Sequence, residues 1–92
     1  LACDAYSIDL CAIEGYIKSL KDASIKEQIR KKIKKVKEKP YSGERKRFKL
    51  KDVYAVKVNH QRIVITYMID EEECMVVLID IGTHDEVYGK TF

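Results

Sequence analysis

The sequence predicts an α+β fold, with an N-terminal antiparallel helical hairpin packed on a three- to four-stranded antiparallel β-sheet. Three observations carry this. Apolar residues recur at three- and four-residue steps up to Val36. Pro40 closes that regime, because it lacks the N–H a continuing helix needs. From Arg47 onward apolar residues alternate with polar ones or run continuously, as strands require. At 92 residues, 46% of them hydrophobic, residues 1–92 suffice for one domain with one modest core.

The first helix is expected over Tyr6–Leu20, where Leu10, Ile13, Ile17 and Leu20 form one stripe that Gly15 weakens slightly. Asp22-Ala23-Ser24 breaks the pattern. Ser24 followed by Glu27 reads as a capping box that starts the second helix. Along that helix Ile25, Ile29, Ile33 and Val36 line one face, while Arg30, Lys31, Lys32, Lys34, Lys35 and Lys37 cover the rest. A link this short folds the two helices back on each other.

Pro40-Tyr41-Ser42-Gly43 is a turn-rich connection. Phe48 and Leu50 then alternate with Arg47, Lys49 and Lys51, and Tyr54, Val56 and Val58 alternate with Ala55 and Lys57. Asn59-His60 is the expected tight turn, since Asn accepts the left-handed conformation. Arg62 to Ile69 is apolar on both faces, as a central strand is. An acidic turn over Asp70–Glu73 leads into a second such strand from Cys74 to Ile81. Gly82 ends it and leaves Thr83–Phe92 as a polar tail with aromatic residues.

Composition narrows the function. No apolar run approaches the roughly 18 to 20 residues that cross a bilayer, and Leu1-Ala2-Cys3-Asp4 lacks the basic and apolar regions of a signal peptide. A cytoplasmic protein with no membrane association is expected. The chain opens on Leu1 rather than Met, which leaves room for a native segment ahead of it. Cys11 and Cys74 sit among apolar residues and read as buried free thiols, and three cysteines cannot all pair internally. Neither His60 nor His84 has a Cys or His at ligand spacing, so no metal site and no cofactor is expected.

The net charge of +3 hides an asymmetry. From Lys18 to Lys51 there are 15 Lys and Arg against four Asp and Glu, a local balance of +11 that leaves −8 on the remainder. Such a segment suits a polyanion partner or, equally, a solvated helix face.

The second half of the chain carries a recognisable order. Gly43-Glu44-Arg45-Lys46-Arg47-Phe48-Lys49-Leu50 leads into Val53-Tyr54-Ala55-Val56-Lys57-Val58, then Asn59-His60-Gln61-Arg62 and a strand closing on Tyr67. Val76-Val77-Leu78-Ile79-Asp80-Ile81-Gly82 and Thr83-His84-Asp85-Glu86-Val87-Tyr88 follow. This resembles the RelE/ParE toxin superfamily of type II toxin–antitoxin systems, and the Gly-Thr-His ending resembles its YafQ-type branch. The resemblance covers nearly the whole chain. It implies a ribosome-dependent, metal-independent mRNA endonuclease, masked by a cognate antitoxin protein, with ribosome and mRNA as partners. ParE-like relatives share the fold but inhibit DNA gyrase, and an inactive RNA-binding relative is a third reading. The family's first strand has little room ahead of Tyr6. It is therefore expected to be short or to lie partly before Leu1, leaving an open sheet edge for an antitoxin strand or a second copy.

Metal-free RNA cleavage needs a base for the 2′-hydroxyl proton, a cation for the crowded phosphate and an acid for the leaving 5′-oxygen. The resemblance implies that His84 moves a proton, that Arg62 contacts the scissile phosphate, that Lys57 adds charge and that Tyr88 stacks on a base. The residues alone leave plainer roles open: a tail histidine, a strand-edge arginine, a solvated lysine and a tyrosine packed on the sheet. Lys46, Arg47, Lys49 and Lys51 are expected to add RNA phosphate contacts. His60 reads as turn filler, and Asp85 and Glu86 as solvent-facing charges.

Overall fold

In the computed structural model, which describes residues 3–48 and 51–91, the chain opens on strand β1 (Ser7–Asp9) and helix α1 (Glu14–Ser19). Helix α2 (Ala23–Glu38) and a 3-10 turn (Pro40–Ser42) follow. Strands β2 (Glu44–Phe48), β3 (Lys51–Val58), β4 (Ile63–Asp70) and β5 (Met75–Thr83) then lead to a last helix, α3 (His84–Thr91). The five strands form one sheet in the order β1-β5-β4-β3-β2. It is mixed rather than purely antiparallel: β2 through β5 form the expected meander, while β1 runs parallel to β5.

Residues 6–20 are not one helix. Residues 7–9 form a strand, Leu10 of the expected stripe lies at its exit, and α1 begins only at Glu14. The short first strand of the family pattern is thus present. It covers β5 at Met75–Val77, part of the edge the resemblance leaves open. Its pairing also corrects the reading of the cysteines. The Ser7 N–H donates to the Cys74 carbonyl at 2.9 Å, which draws the preceding residues alongside the β4–β5 turn. Cys3 and Cys74 there form a disulfide across 71 residues of sequence. Cys74 is therefore not a free thiol, and Cys11, the free cysteine, is exposed rather than buried.

Helix α2 follows its apolar stripe, with Ile29 and Val36 buried and Ile25 and Ile33 packed at the margin. Its cap differs from the expected box. Asp22, two residues before Ser24, accepts from the Ser24 and Ile25 N–H groups at 2.9 and 3.2 Å, so the carboxylate closes the helix end.

The main core lies between α2 and one face of the sheet, to which Tyr54 and Val58 of β3, Ile63, Ile65 and Tyr67 of β4, and Val76, Leu78 and Ile81 of β5 contribute. A bulge in β5 makes this set possible. Thr66 pairs with Asp80 while Tyr67 pairs with Leu78, so Ile79 is an extra residue and both Leu78 and Ile81 reach the same side. Tyr67 is fully buried, yet its hydroxyl donates to the Pro40 carbonyl at 2.6 Å. A Cβ at position 43 would collide with that hydroxyl, which is why the turn carries Gly43.

The expected polar tail is α3. Thr83 and Glu86 cap it reciprocally: Glu86 Oε1 accepts from the Thr83 N–H at 2.8 Å, and Thr83 Oγ1 accepts from the Glu86 N–H at 3.2 Å. Gly82 lets the Glu86 side chain lie close, since a Cβ there would stand 3.0 Å from Glu86 Oε1. None of the described helices is long and apolar enough to cross a membrane.

Candidate functional site

The sheet's second face carries the residues singled out for chemistry. Strand alternation sends Ala55 and Val64 to the side opposite the α2 core, and the register places Glu44 beside Ala55, Lys57 beside Val64, and Val64 beside Gly82. Because α3 starts directly after β5, its Val87 drops onto Ala55 and Val64 to form a small second core, with Tyr88 packed at its rim. Val87 is the anchor. It fixes α3 against the sheet, and α3 fixes His84 and Tyr88.

One helical turn separates His84 from Tyr88, so their side chains meet on one face of α3. The ring centroids stand 4.5 Å apart in an edge-on arrangement. Lys46 Nζ lies 5.5 Å from the centre of the Tyr88 ring, in cation–π range. The same ammonium pairs with Glu44 Oε1 at 2.9 Å. That hydrogen bond, with a weaker contribution from the Lys57 charge, holds the Glu44 carboxyl below its ordinary range. In return, Glu44 raises the Lys46 ammonium and keeps it charged. Burial pushes the Tyr88 phenol up, partly offset by Lys46, so it remains neutral. His84 is mostly exposed, and its Nδ1 lies 3.8 Å from Asp85 Oδ1, beyond hydrogen-bond distance.

Arg62 sits at the same end of the sheet. It closes the turn after Asn59, donating its backbone N–H to the Asn59 carbonyl at 3.1 Å, and is exposed. Ile63 pairs with Thr83, so Arg62 and His84 stand one residue beyond the last pair of β4 and β5. The structure thus brings together His84, Tyr88 and Lys46, sets Lys57 within electrostatic reach of Glu44, and leaves Arg62 at the rim.

The remaining basic residues divide. Arg47 pairs with Asp52, and Lys51 with Phe48, at the far end of the β2–β3 ribbon, away from α3. Lys49 lies outside the described residues. Glu44 and the capping role of Glu86 escape a sequence reading focused on cations. The signals were present all the same: Glu44 alternates with Lys46 on one strand face, and Thr83-x-x-Glu86 is a capping box.

A family model described as a ParE-like toxin of the type II bacterial toxin–antitoxin system matches residues 9–91. Among solved structures, the chain is similar to a double arginine-to-alanine mutant of the E. coli toxin RelE in the free state. The match has a TM-score of 0.72 and 26% identity, over 95% of this chain and 94% of that one. It is also similar to the intact E. coli RelBE toxin–antitoxin complex, at 0.72 and 25% over 86% and 96%. The isolated E. coli RelE toxin matches at 0.68 and 25% over 94% and 93%. No curated protein sequence matches significantly. With its helices and five-stranded mixed sheet arranged as in RelE, the chain belongs to the ParE-like toxin family of type II bacterial toxin–antitoxin systems.

Proposed function

We propose that this toxin is a metal-independent endoribonuclease that cuts mRNA on the ribosome in the cytoplasm, and that a cognate antitoxin masks it. The observation that carries the reading is the His84–Tyr88 ring pair with the Lys46 ammonium over Tyr88, beside Lys57 and at the Arg62 end of the sheet. In the reaction, the 2′-hydroxyl oxygen bonds to phosphorus and the bond to the 5′-oxygen breaks, giving a cyclic phosphate and a free 5′-hydroxyl. One proton leaves the 2′-hydroxyl and one reaches the 5′-oxygen; His84 moves one of them and solvent water the other. Arg62 and Lys57 neutralise the extra charge on the five-coordinate phosphate, and Tyr88 stacks on a neighbouring base.

A cognate antitoxin is inferred from the E. coli RelE toxin, which is seen in complex with its antitoxin. The ParE-like description of the matching family favours a second reading, inhibition of DNA gyrase without chemistry. Cleavage of a ribosome-bound mRNA separates the two. Proton-transfer groups contribute about 10² to 10⁴ in rate, so His84→Ala is expected to lose cleavage by that order while keeping its fold by circular dichroism. Full cleavage by His84→Ala would remove this histidine from the mechanism. Gyrase inhibition with no RNA cut would replace the nuclease reading altogether.

A further inference from the structure

A second basic site lies where α2 meets the β3–β4 turn. It is an open groove of about 370 Å³ whose lining includes Lys31, Lys32 and Lys35 from α2, Lys57 from β3, and Asn59 and His60 from the turn. Among the described residues, no carboxylate is part of its wall. Among the described residues, no ion pair engages Lys31, Lys32 or Lys35, although ion pairs form elsewhere on Lys18, Arg45 and Lys46. The contrast with another cavity along α2 is direct. There Lys34 and Lys37 share the wall with Asp4 and Glu38, so positive charge is interleaved with negative.

The groove has a built floor. Asn59, His60 and Gln61 all adopt positive φ, at 53, 56 and 67°. Non-glycine residues visit that region at an energetic cost. The turn is fastened to α2 because the Asn59 N–H donates to Gln28 Oε1 at 3.1 Å. Helix and turn are therefore held at fixed spacing with the lysines between them. Lys31 and Lys35 stand one turn apart on the same helix face, about 6 Å along the axis. That arrangement offers a row of cations to a chain of regularly spaced anions. Lys57 belongs both to this groove and to the neighbourhood of Glu44 on the α3 face, so the two basic regions meet at one residue.

We propose that this groove binds the phosphodiester backbone of the single-stranded RNA flanking the cleavage position, carrying the strand from the α3 face past Lys57 and across the 59–61 turn onto α2. The proposal rests on the reading of the α3 face as a ribonuclease site. Apart from Lys57, which the two share, the groove is distinct from that site in its residues, and binding can be measured without chemistry.

The test uses fluorescence anisotropy with 2′-O-methyl RNA, which cannot be cut because its nucleophile is blocked. A tetranucleotide and a dodecanucleotide are compared over a range of salt. Lys31→Ala/Lys35→Ala is set against Lys34→Ala/Lys37→Ala, which removes the same charge from the same helix. The groove variant should bind the dodecanucleotide roughly tenfold more weakly, with a salt slope flatter by about 1.4 for two lost phosphate contacts. Its tetranucleotide binding should be unchanged, as should both affinities of the control variant. Equal losses in the two variants, no loss in either, or failure of the unmodified protein to bind the dodecanucleotide would each overturn the proposal. Loss of the His84 assignment would leave this comparison standing, so the two ideas fail separately.

Discussion

The two faces of the sheet are built to different depths. On one, α2 covers a continuous core running from Ile13 through Ile29 and Val36 to Tyr67, Leu78 and Ile81. On the other, α3 holds on through Val87, set against Ala55 and Val64 with Tyr88 at the margin. The deep face specifies the fold. The shallow face leaves His84 and charged groups exposed, with Tyr88 half-buried beside a small anchor, an arrangement that suits the proposed contact with RNA. The same contrast explains why His84 and Tyr88 depend on one short helix and its cap rather than on the main core.

The largest expected effect comes from cutting into the deep face. Ile29→Ala removes a fully buried side chain and should cost about 2–5 kcal/mol by chemical denaturation. That is enough to shift the whole unfolding transition. A shift under about 1 kcal/mol, below that range, would mean that α2 contributes less to the core than its burial indicates. On the shallow face Val87→Ala deletes two methyl equivalents, about 1.5 kcal/mol. The consequence should be local. Amide exchange across α3 accelerates and the His84–Tyr88 contact loosens, while exchange in β3 and β4 changes little. Uniform acceleration through the sheet would make the two faces one cooperative unit instead.

Smaller again is the cap. Thr83→Ala removes the acceptor for the Glu86 N–H and should cost about 1 kcal/mol, read as fraying of α3. Activity should fall further than that stability loss suggests, because His84 is the first helical residue. Unchanged activity would show that His84 does not rely on this cap.

The last prediction concerns β1. The Tyr6 hydroxyl donates to both Glu71 carboxylate oxygens at 2.6 and 2.7 Å, and this pairing raises the phenol from 10.0 to about 12. The folded value lies above the unfolded one, so the stabilisation is complete below pH 10 and disappears as pH rises toward 12. Phenolate absorbance should include a step from Tyr6 near pH 12, alongside the upward shift that burial gives Tyr88. Tyr6→Phe should abolish both that late step and the extra alkaline sensitivity of the protein. A step near pH 12 of undiminished amplitude in Tyr6→Phe would assign that shift to another residue.

What the sequence made legible follows the range of the interactions. Helix α2 is visible because Ile25, Ile29, Ile33 and Val36 repeat within one element, and β3 to β5 because each carries its own pattern and is closed by a local turn. Strand β1 is different. Its three residues gain meaning only by pairing with β5, more than sixty positions away, and the Cys3–Cys74 bond follows from that pairing. No local signal announces either. Helix α3 was legible but overshadowed. Its Thr83-x-x-Glu86 box forms, whereas at Ser24-x-x-Glu27 Asp22 accepts the amide hydrogen bonds at the helix start. His84 and Tyr88 were each identifiable from the family pattern, yet their contact, and the Lys46–Glu44 pair beside it, arise from α3 folding back over the sheet.

The proposed nuclease chemistry is tested most directly by the ends of the RNA it produces. Purified toxin is mixed with programmed ribosomes, and the cleaved mRNA is examined for its new 3′ and 5′ termini. Cleavage should leave a 2′,3′-cyclic phosphate and a 5′-hydroxyl, with His84→Ala giving at most a hundredth of the product. A 5′-phosphate terminus or intact mRNA throughout would contradict it.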